Sequence, residues 1–341
     1  MQIRTISRRT ALLAAASAAA FVRAPPAAAA VEGALADAVA RAGRLERLQS
    51  LVVAAGGEVR VARSFRGGGA DRPVNVKSLS KTVLALMTGI AIDKGVLPGA
   101  EATLGAVMPG LIPKAADPRV RDIRIADLLT MRAGLARTSG PNYGRWVQSA
   151  DWLEYALVQP MVAEPGGPML YSTGSYHILG AALAEAAGRD LRRLGQDWLG
   201  DPLEFEVPPW TRDPQGRFMG GNNMALSPTA LLRIGEAVRQ GGTWRGRRIV
   251  GRDWIEASWT ARTVSPWSGD AYGYGWFLRE RDGRRFAYGR GYGGQLLYVA
   301  PDLDLTVVLI SDPTRPARSG GYIDVLHDLV TEAIVPAVAQ G

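Results

Sequence analysis

Cysteine is absent from the 341 residues, and histidine occurs only twice. The first absence excludes a disulfide-stapled scaffold. The two together leave almost no material for a zinc or iron–sulfur site. Lysine is scarce as well, with four residues against 36 arginines, and aromatic residues make up only 7%. The first thirty residues contain no acid, and their apolar stretch, 10–22, is 13 residues long. A membrane span needs roughly 20, so this stretch is too short to be one.

What remains is an ordinary globular composition, 47% hydrophobic and 21% charged. It excludes a disordered chain and suits one large domain or two small ones. The net charge of +8 raises the question of nucleic acid. Half of that excess comes from Arg4, Arg8, Arg9 and Arg23 in the acid-free start. Elsewhere the arginines at 245–252 and 279–285 are interleaved with Asp253, Glu256, Glu280 and Asp282, a mixed-charge surface rather than a phosphate-binding stripe. No nucleic-acid partner is expected.

A basic start, a short apolar stretch and the small-residue run Ala27 to Ala30 form the layout of an export signal. Ser7-Arg8-Arg9-Thr10 followed by Leu12 and Leu13 resembles a twin-arginine signal. Residues 1–30 are therefore expected to be removed, leaving a periplasmic or secreted protein with no membrane span. The oligomeric state is not written in the sequence.

No repeat of 20–50 residues occurs. The apolar spacing predicts helices over 31–44, 78–92, 178–187 and 324–339. Gly56-Gly57 between 51–55 and 58–64 predicts a hairpin. Further strands are expected at 272–278, 295–299 and 305–310, with a turn at 301–304. Strands at both ends and a helical middle imply an α+β fold: one antiparallel sheet built from both termini (31–95 and 245–341), with helices from an insertion (96–244) beside it.

Ser78-Leu79-Ser80-Lys81 opens the helix predicted from 78. Positions i and i+3 share a helix face, so the Lys81 amine can reach the Ser78 hydroxyl and take its proton if burial lowers its pKa. With 16 serines and four lysines, chance alone supplies roughly 0.2 such pairs, so the tetrapeptide is weak by itself. The scarcity of lysine strengthens it, because arginine stays charged and cannot act as a base. Tyr171-Ser172-Thr173 lies between the 165–168 Pro/Gly loop and an apolar helix, where a tyrosine beside a lysine can relay a proton. Tyr288 to Gln295, rich in glycine, leads into a strand whose edge could offer N–H donors to an oxyanion. His177 and His327 read as core or surface histidines, since neither accompanies a nucleophile elbow.

In this order the three segments resemble serine hydrolases related to class C β-lactamases and penicillin-binding proteins. Residues 75–82, the stretch 125–135 (with Met131 where that family usually has His), Pro202-Leu203 and 220–228 fit the same pattern. The details look closest to 6-aminohexanoate-dimer hydrolases and related esterases. The resemblance implies a β-lactamase/transpeptidase-like fold and an acyl-enzyme on Ser78, with Lys81 and Tyr171 managing protons. Thr173 and the segment containing Tyr288, Gly291 and Tyr292 would hold the substrate and its oxyanion. No cofactor or metal is implied, and the expected partner is a small ester or amide. Two departures stand against a β-lactamase. Thr173 replaces the family's Tyr-x-Asn asparagine, and no lysine stands at 286–295, where Arg290 is the nearest cation. The alternatives are a true β-lactamase or D-Ala-D-Ala peptidase, and a non-catalytic peptidoglycan- or peptide-binding relative.

Overall fold

The computed structural model describes residues 26–318 and 321–339. The twin-arginine pattern lies outside the described residues. Among them, no helix is long and apolar enough to cross a membrane.

Eight strands form one antiparallel sheet: β1 (Leu48–Ala55), β2 (Glu58–Ser64), β3 (Thr263–Val264), β4 (Ala271–Tyr272), β5 (Phe277–Arg281), β6 (Arg284–Gly291), β7 (Gln295–Ala300) and β8 (Leu305–Ser311). Their order is β2-β1-β8-β7-β6-β5-β4-β3, so β1 from the amino-terminal half pairs directly with β8. The apolar runs of β1, β7 and β8 are buried along almost their whole length, as befits central strands covered on both faces. Gly56 and Gly57, both at positive φ, turn the β1–β2 hairpin.

Helices α1 (Pro26–Gly43), α2 (Ser80–Asp93), α3 (Thr173–Ala187), α4 (Pro228–Arg239) and α5 (Tyr322–Asp328) are the ones that place the site. One sheet face carries α4, whose Gly235 sits against Thr306 and Leu297, and α2, whose Leu79–Thr82 start meets Gly289. The other face carries α1 and the carboxy-terminal helix, whose His327 lies against Tyr288 and Tyr298. Ser227 caps α4 by accepting the Ala230 N–H at 3.0 Å, and Pro228 occupies its first turn. Short helices between 104 and 200, with α3, pack beyond α2 and bury it on every side from Ser80 to Ala91.

Four expectations need correction. The helix expected to start at 78 begins as a 3₁₀ turn, Lys77–Leu79, before α2 proper. The strand expected over 272–278 is broken into β4 and β5, because Gly273 packs against the Ser258 carbonyl and Gly275 turns at φ 77°. That break docks on α2, where the Thr82 hydroxyl donates to the Gly275 carbonyl at 2.7 Å. The carboxy-terminal helix widens to a π-helix over Leu329–Ile334, ahead of Pro336, which lacks an N–H and crowds the carbonyl four residues back. Finally, α3 starts at Thr173 rather than 178, which puts Tyr171 on the residue before its cap.

Candidate active site

The turn that carries Ser78 is held from several directions. Val74–Asn75 pairs with Ala225–Leu226, tying the approach to the nucleophile segment to the 220–226 stretch. Lys77 adopts φ 51°, a strained conformation for a residue with a Cβ. Its N–H donates to Asn75 Oδ1 at 2.9 Å, and its carbonyl accepts from the Ser80 hydroxyl at 2.5 Å. Ser80 Oγ in turn accepts the Met224 N–H at 3.0 Å. The strained turn is thus pinned, with half-buried Ser78 presented beside it.

Lys81 is 2% exposed. Its Nζ lies 3.1 Å from Ser78 Oγ and 3.3 Å from Thr173 Oγ1, and it donates to the Gly221 carbonyl. The rings of Tyr171 and Tyr176 flank it at 5.2 and 5.8 Å. Burial lowers its pKa to about 7, and among the described residues no carboxylate pairs with it. A carbonyl can only accept, so Gly221 fixes one amine N–H; a second can go to Thr173. The lone pair of the neutral amine is then left for Ser78. Gly221 permits this approach, since a Cβ there would stand 2.6 Å from the Tyr176 Cβ.

Tyr171 is half-buried and hydrogen-bonded to Ser78. Burial raises its phenol above the ordinary value, while the Ser78 hydrogen bond and the Arg290 charge pull it back. Thr173 is buried and its N–H donates to Ser139 Oγ at 2.8 Å, with the two hydroxyls 3.0 Å apart. It therefore steadies Lys81 from behind.

A cleft of about 370 Å³ opens over these groups. Ser78, Ser139 and Tyr171 form part of it, with Gly291, Tyr292, Arg137, Arg290, Trp267 and Phe277 around them. A larger cavity of about 520 Å³ lies beside Trp259, Arg279 and Phe286, but no serine or lysine lines it. Ser78 and Tyr171 meet at the smaller cleft.

The glycine-rich strand divides by strand alternation. Gly289 and Gly291 face the turn that leads into α2: a Cβ on Gly289 would come 2.3 Å from Leu79 Cδ1, and one on Gly291 would come 2.2 Å from the Val76 carbonyl. These glycines bring strand and nucleophile turn into contact, a packing role that the sequence reading missed. Tyr288 corrects the expectation of a substrate contact. Its buried ring stacks between Phe277 and Tyr298 on the other face, and its hydroxyl bonds to Asp270 at 2.5 Å. Pairing with β5 stops at Tyr288, so the backbone of 289–292 runs past the end of β5 along the cleft beside Ser78. Tyr292, 49% exposed, stands at the cleft mouth.

Neither histidine reaches the site. His177 is buried between Trp146 and Trp152 and bonds to Asp213 at 3.2 Å. His327 bonds to the Tyr298 hydroxyl, and burial lowers its pKa to about 3. Among the described residues no group of three or more His, Cys, Asp or Glu side chains is placed to hold a metal ion. Ser139, Arg137, Trp267 and the Gly221 carbonyl are site features that no local motif announced as such.

The model of the Beta-lactamase family matches residues 35–332, and the chain belongs to that family, which is typically one of serine hydrolases. No curated protein matches the sequence significantly. A protein assigned as a 6-aminohexanoate-dimer hydrolase from Bacillus anthracis superposes with a TM-score of 0.70 at 15% identity, covering 91% of this chain and 81% of that one. EstCE1, described as a hydrolase with promiscuous acyltransferase activity, gives 0.66 at 20% identity, covering 92% and 98%. A penicillin-binding-protein homologue from Pyrococcus abyssi gives 0.65 at 17%, covering 90% and 76%. At such identities these likenesses establish the β-lactamase/transpeptidase-like fold.

Proposed function

We propose that the protein is an exported serine hydrolase that cleaves esters or small amides through an acyl-enzyme on Ser78. The observation that carries this reading is the buried Lys81 amine, 3.1 Å from Ser78 Oγ, with its pKa lowered to about 7. Neutral Lys81 accepts the Ser78 proton as the oxygen attacks the substrate carbonyl. The oxyanion is met by backbone N–H groups of Ser78 and of the 289–292 segment. Tyr171, hydrogen-bonded to Ser78, gives its phenol proton to the leaving group and recovers one from the Lys81 ammonium, and the Arg290 charge eases that transient loss. Water then repeats the sequence on the acyl group, restoring Ser78. The amino-terminal layout supports export through a twin-arginine route.

Labelling with a fluorophosphonate tests the nucleophile, and a panel of esters, amides and β-lactams tests the class. Short-chain p-nitrophenyl esters should turn over far faster than nitrocefin. Thr173 lacks the paired donor and acceptor of an asparagine amide, and it already serves Lys81 and Ser139. The strand also has no lysine at 286–295 for a β-lactam carboxylate. Comparable kcat/KM on nitrocefin would transfer the assignment to β-lactamase.

The pH profile is a second test. Below pH 7 Lys81 is protonated and has no lone pair; above it the amine is neutral. For a neutral ester, kcat/KM should rise about tenfold per pH unit on the acid side and level off above an apparent pKa near 7. Tyr171, raised by burial, stays protonated across that range. A flat profile from pH 5.5 to 8.5 would remove Lys81 as the base.

A further inference from the structure

Arg132 follows the short helix Ile125–Leu129 and is half-buried. Its Nε donates to the Gly167 carbonyl at 2.6 Å, one Nη donates to the Gly166 carbonyl, and the other to the Arg262 carbonyl at 3.3 Å. One planar guanidinium therefore joins the Pro/Gly loop ahead of Tyr171 to the residue before β3, the edge strand of the sheet. The main chain beside it continues the link. The Gly166 N–H donates to the Arg132 carbonyl at 2.8 Å, and the Leu170 N–H to the Met131 carbonyl at 2.7 Å. Met131 is fully buried at φ 61°, a conformation that a residue with a Cβ keeps only where its surroundings impose it. On the other side of Tyr171, Ser172 Oγ accepts the Thr138 N–H at 3.1 Å and the Thr173 N–H donates to Ser139 Oγ at 2.8 Å. Tyr171 is thus suspended between two anchors, and the first of them hangs on Arg132.

We propose that Arg132 is a positioning residue for proton delivery: by clamping the 166–167 carbonyls to the sheet edge it sets Tyr171 beside the departing group, and so governs the cleavage of substrates with poor leaving groups, alkyl esters and amides. A general acid works only within hydrogen-bond reach of the atom that it protonates. A misplacement of about 1 Å costs on the order of 10²-fold. A nitrophenolate departs without a proton, whereas an alkoxide or an amide nitrogen does not. Loss of the clamp should therefore be felt in proportion to the basicity of the leaving group. The base is held separately, since Lys81 is bonded to Thr173 and Gly221, outside the clamped loop. This inference rests on the hydrolase reading above and adds a residue that acts through Tyr171.

The test compares 4-nitrophenyl, phenyl and ethyl acetate, which share one acyl-enzyme, on the wild type, Arg132→Met and Arg132→Lys. For these esters kcat/KM reports acylation, the step in which the leaving group departs. Arg132→Met removes the donors and should lower kcat/KM for ethyl acetate by roughly tenfold or more, and for 4-nitrophenyl acetate by about threefold at most. Phenyl acetate should fall between them. Arg132→Lys restores a cationic donor without the fork and should recover part of the loss on ethyl acetate. A double-mutant cycle tests the route through Tyr171. In a Tyr171→Phe background, adding Arg132→Met should leave the ratio of phenyl to 4-nitrophenyl acetate where Tyr171→Phe alone puts it. An equal loss on all three esters, or a change of ratio that adds in full to that of Tyr171→Phe, would overturn the proposal and leave the hydrolase standing. If Arg132→Met did not melt cooperatively, Arg132→Lys carries the same comparison, and its smaller loss must still be confined to the poorer leaving groups. If the wild type cleaved none of the three, the hydrolase reading would fall and this one with it.

Discussion

Ser78→Ala is expected to abolish fluorophosphonate labelling and to lower ester hydrolysis by at least ~10³-fold, with the fold intact. The nucleophile cannot be replaced from within the cleft. Ser139, another serine of the cleft, is engaged with Thr173, and its hydroxyl makes no hydrogen bond to the Lys81 amine. Stability should change little, because Ser78 is half-buried and the Tyr171 hydroxyl that loses its bond lines the open cleft. Lys81 keeps Thr173 and the Gly221 carbonyl, and substitutions of this kind typically cost no more than about 1 kcal/mol. Labelling stoichiometry, kcat/KM and a thermal melt on the same preparation check the three parts. Labelling retained in the variant would move the nucleophile elsewhere.

Lys81→Arg should be nearly as damaging as Lys81→Ala, although the charge is kept. The role calls for an amine that can lose its proton near pH 7, and a guanidinium holds its proton throughout that range. The loss of a positioned base is expected to cost on the order of 10²–10⁴-fold. There is a steric objection too, since the side chain is buried against Tyr171, Tyr176 and Gly221. Lys81→Met, similar in volume and uncharged, separates the two effects: it should melt near the wild-type temperature and still be inactive. Substantial hydrolysis by a folded arginine variant would make Lys81 an electrostatic support.

The legible part of the site was the part that local geometry dictates. Ser78 and Lys81 are three residues apart on one helical start, so their approach follows from helix geometry alone. Tyr171 was legible because a Pro/Gly loop followed by an apolar helix must expose its junction, and α3 begins two residues later. The hairpin at Gly56-Gly57 and the strands β7 and β8 follow from period-two and continuous apolar patterns. Other parts depend on partners distant in sequence. Gly221 is 140 residues from the Lys81 that it orients, and the Thr82–Gly275 bond that breaks a predicted strand spans 193. Tyr288 was misread because a glycine-rich run hides which strand face a side chain takes, and only the packing of Gly289 on Leu79 settles it.

The sequence by itself determined the fold class, the identity of the paired serine and lysine, and the lack of thiol chemistry, because these depend on composition and on spacings of a few residues. Only the tertiary structure decided that Lys81 is buried with no carboxylate paired to it among the described residues, and burial lowers its pKa to about 7. It also brought Arg137 onto Trp267, 130 positions away, to give the cleft its positive wall. The physical reason is the same in both cases. Desolvation and the local field at a side chain are set by every group packed around it, and most of those groups come from elements remote in the chain.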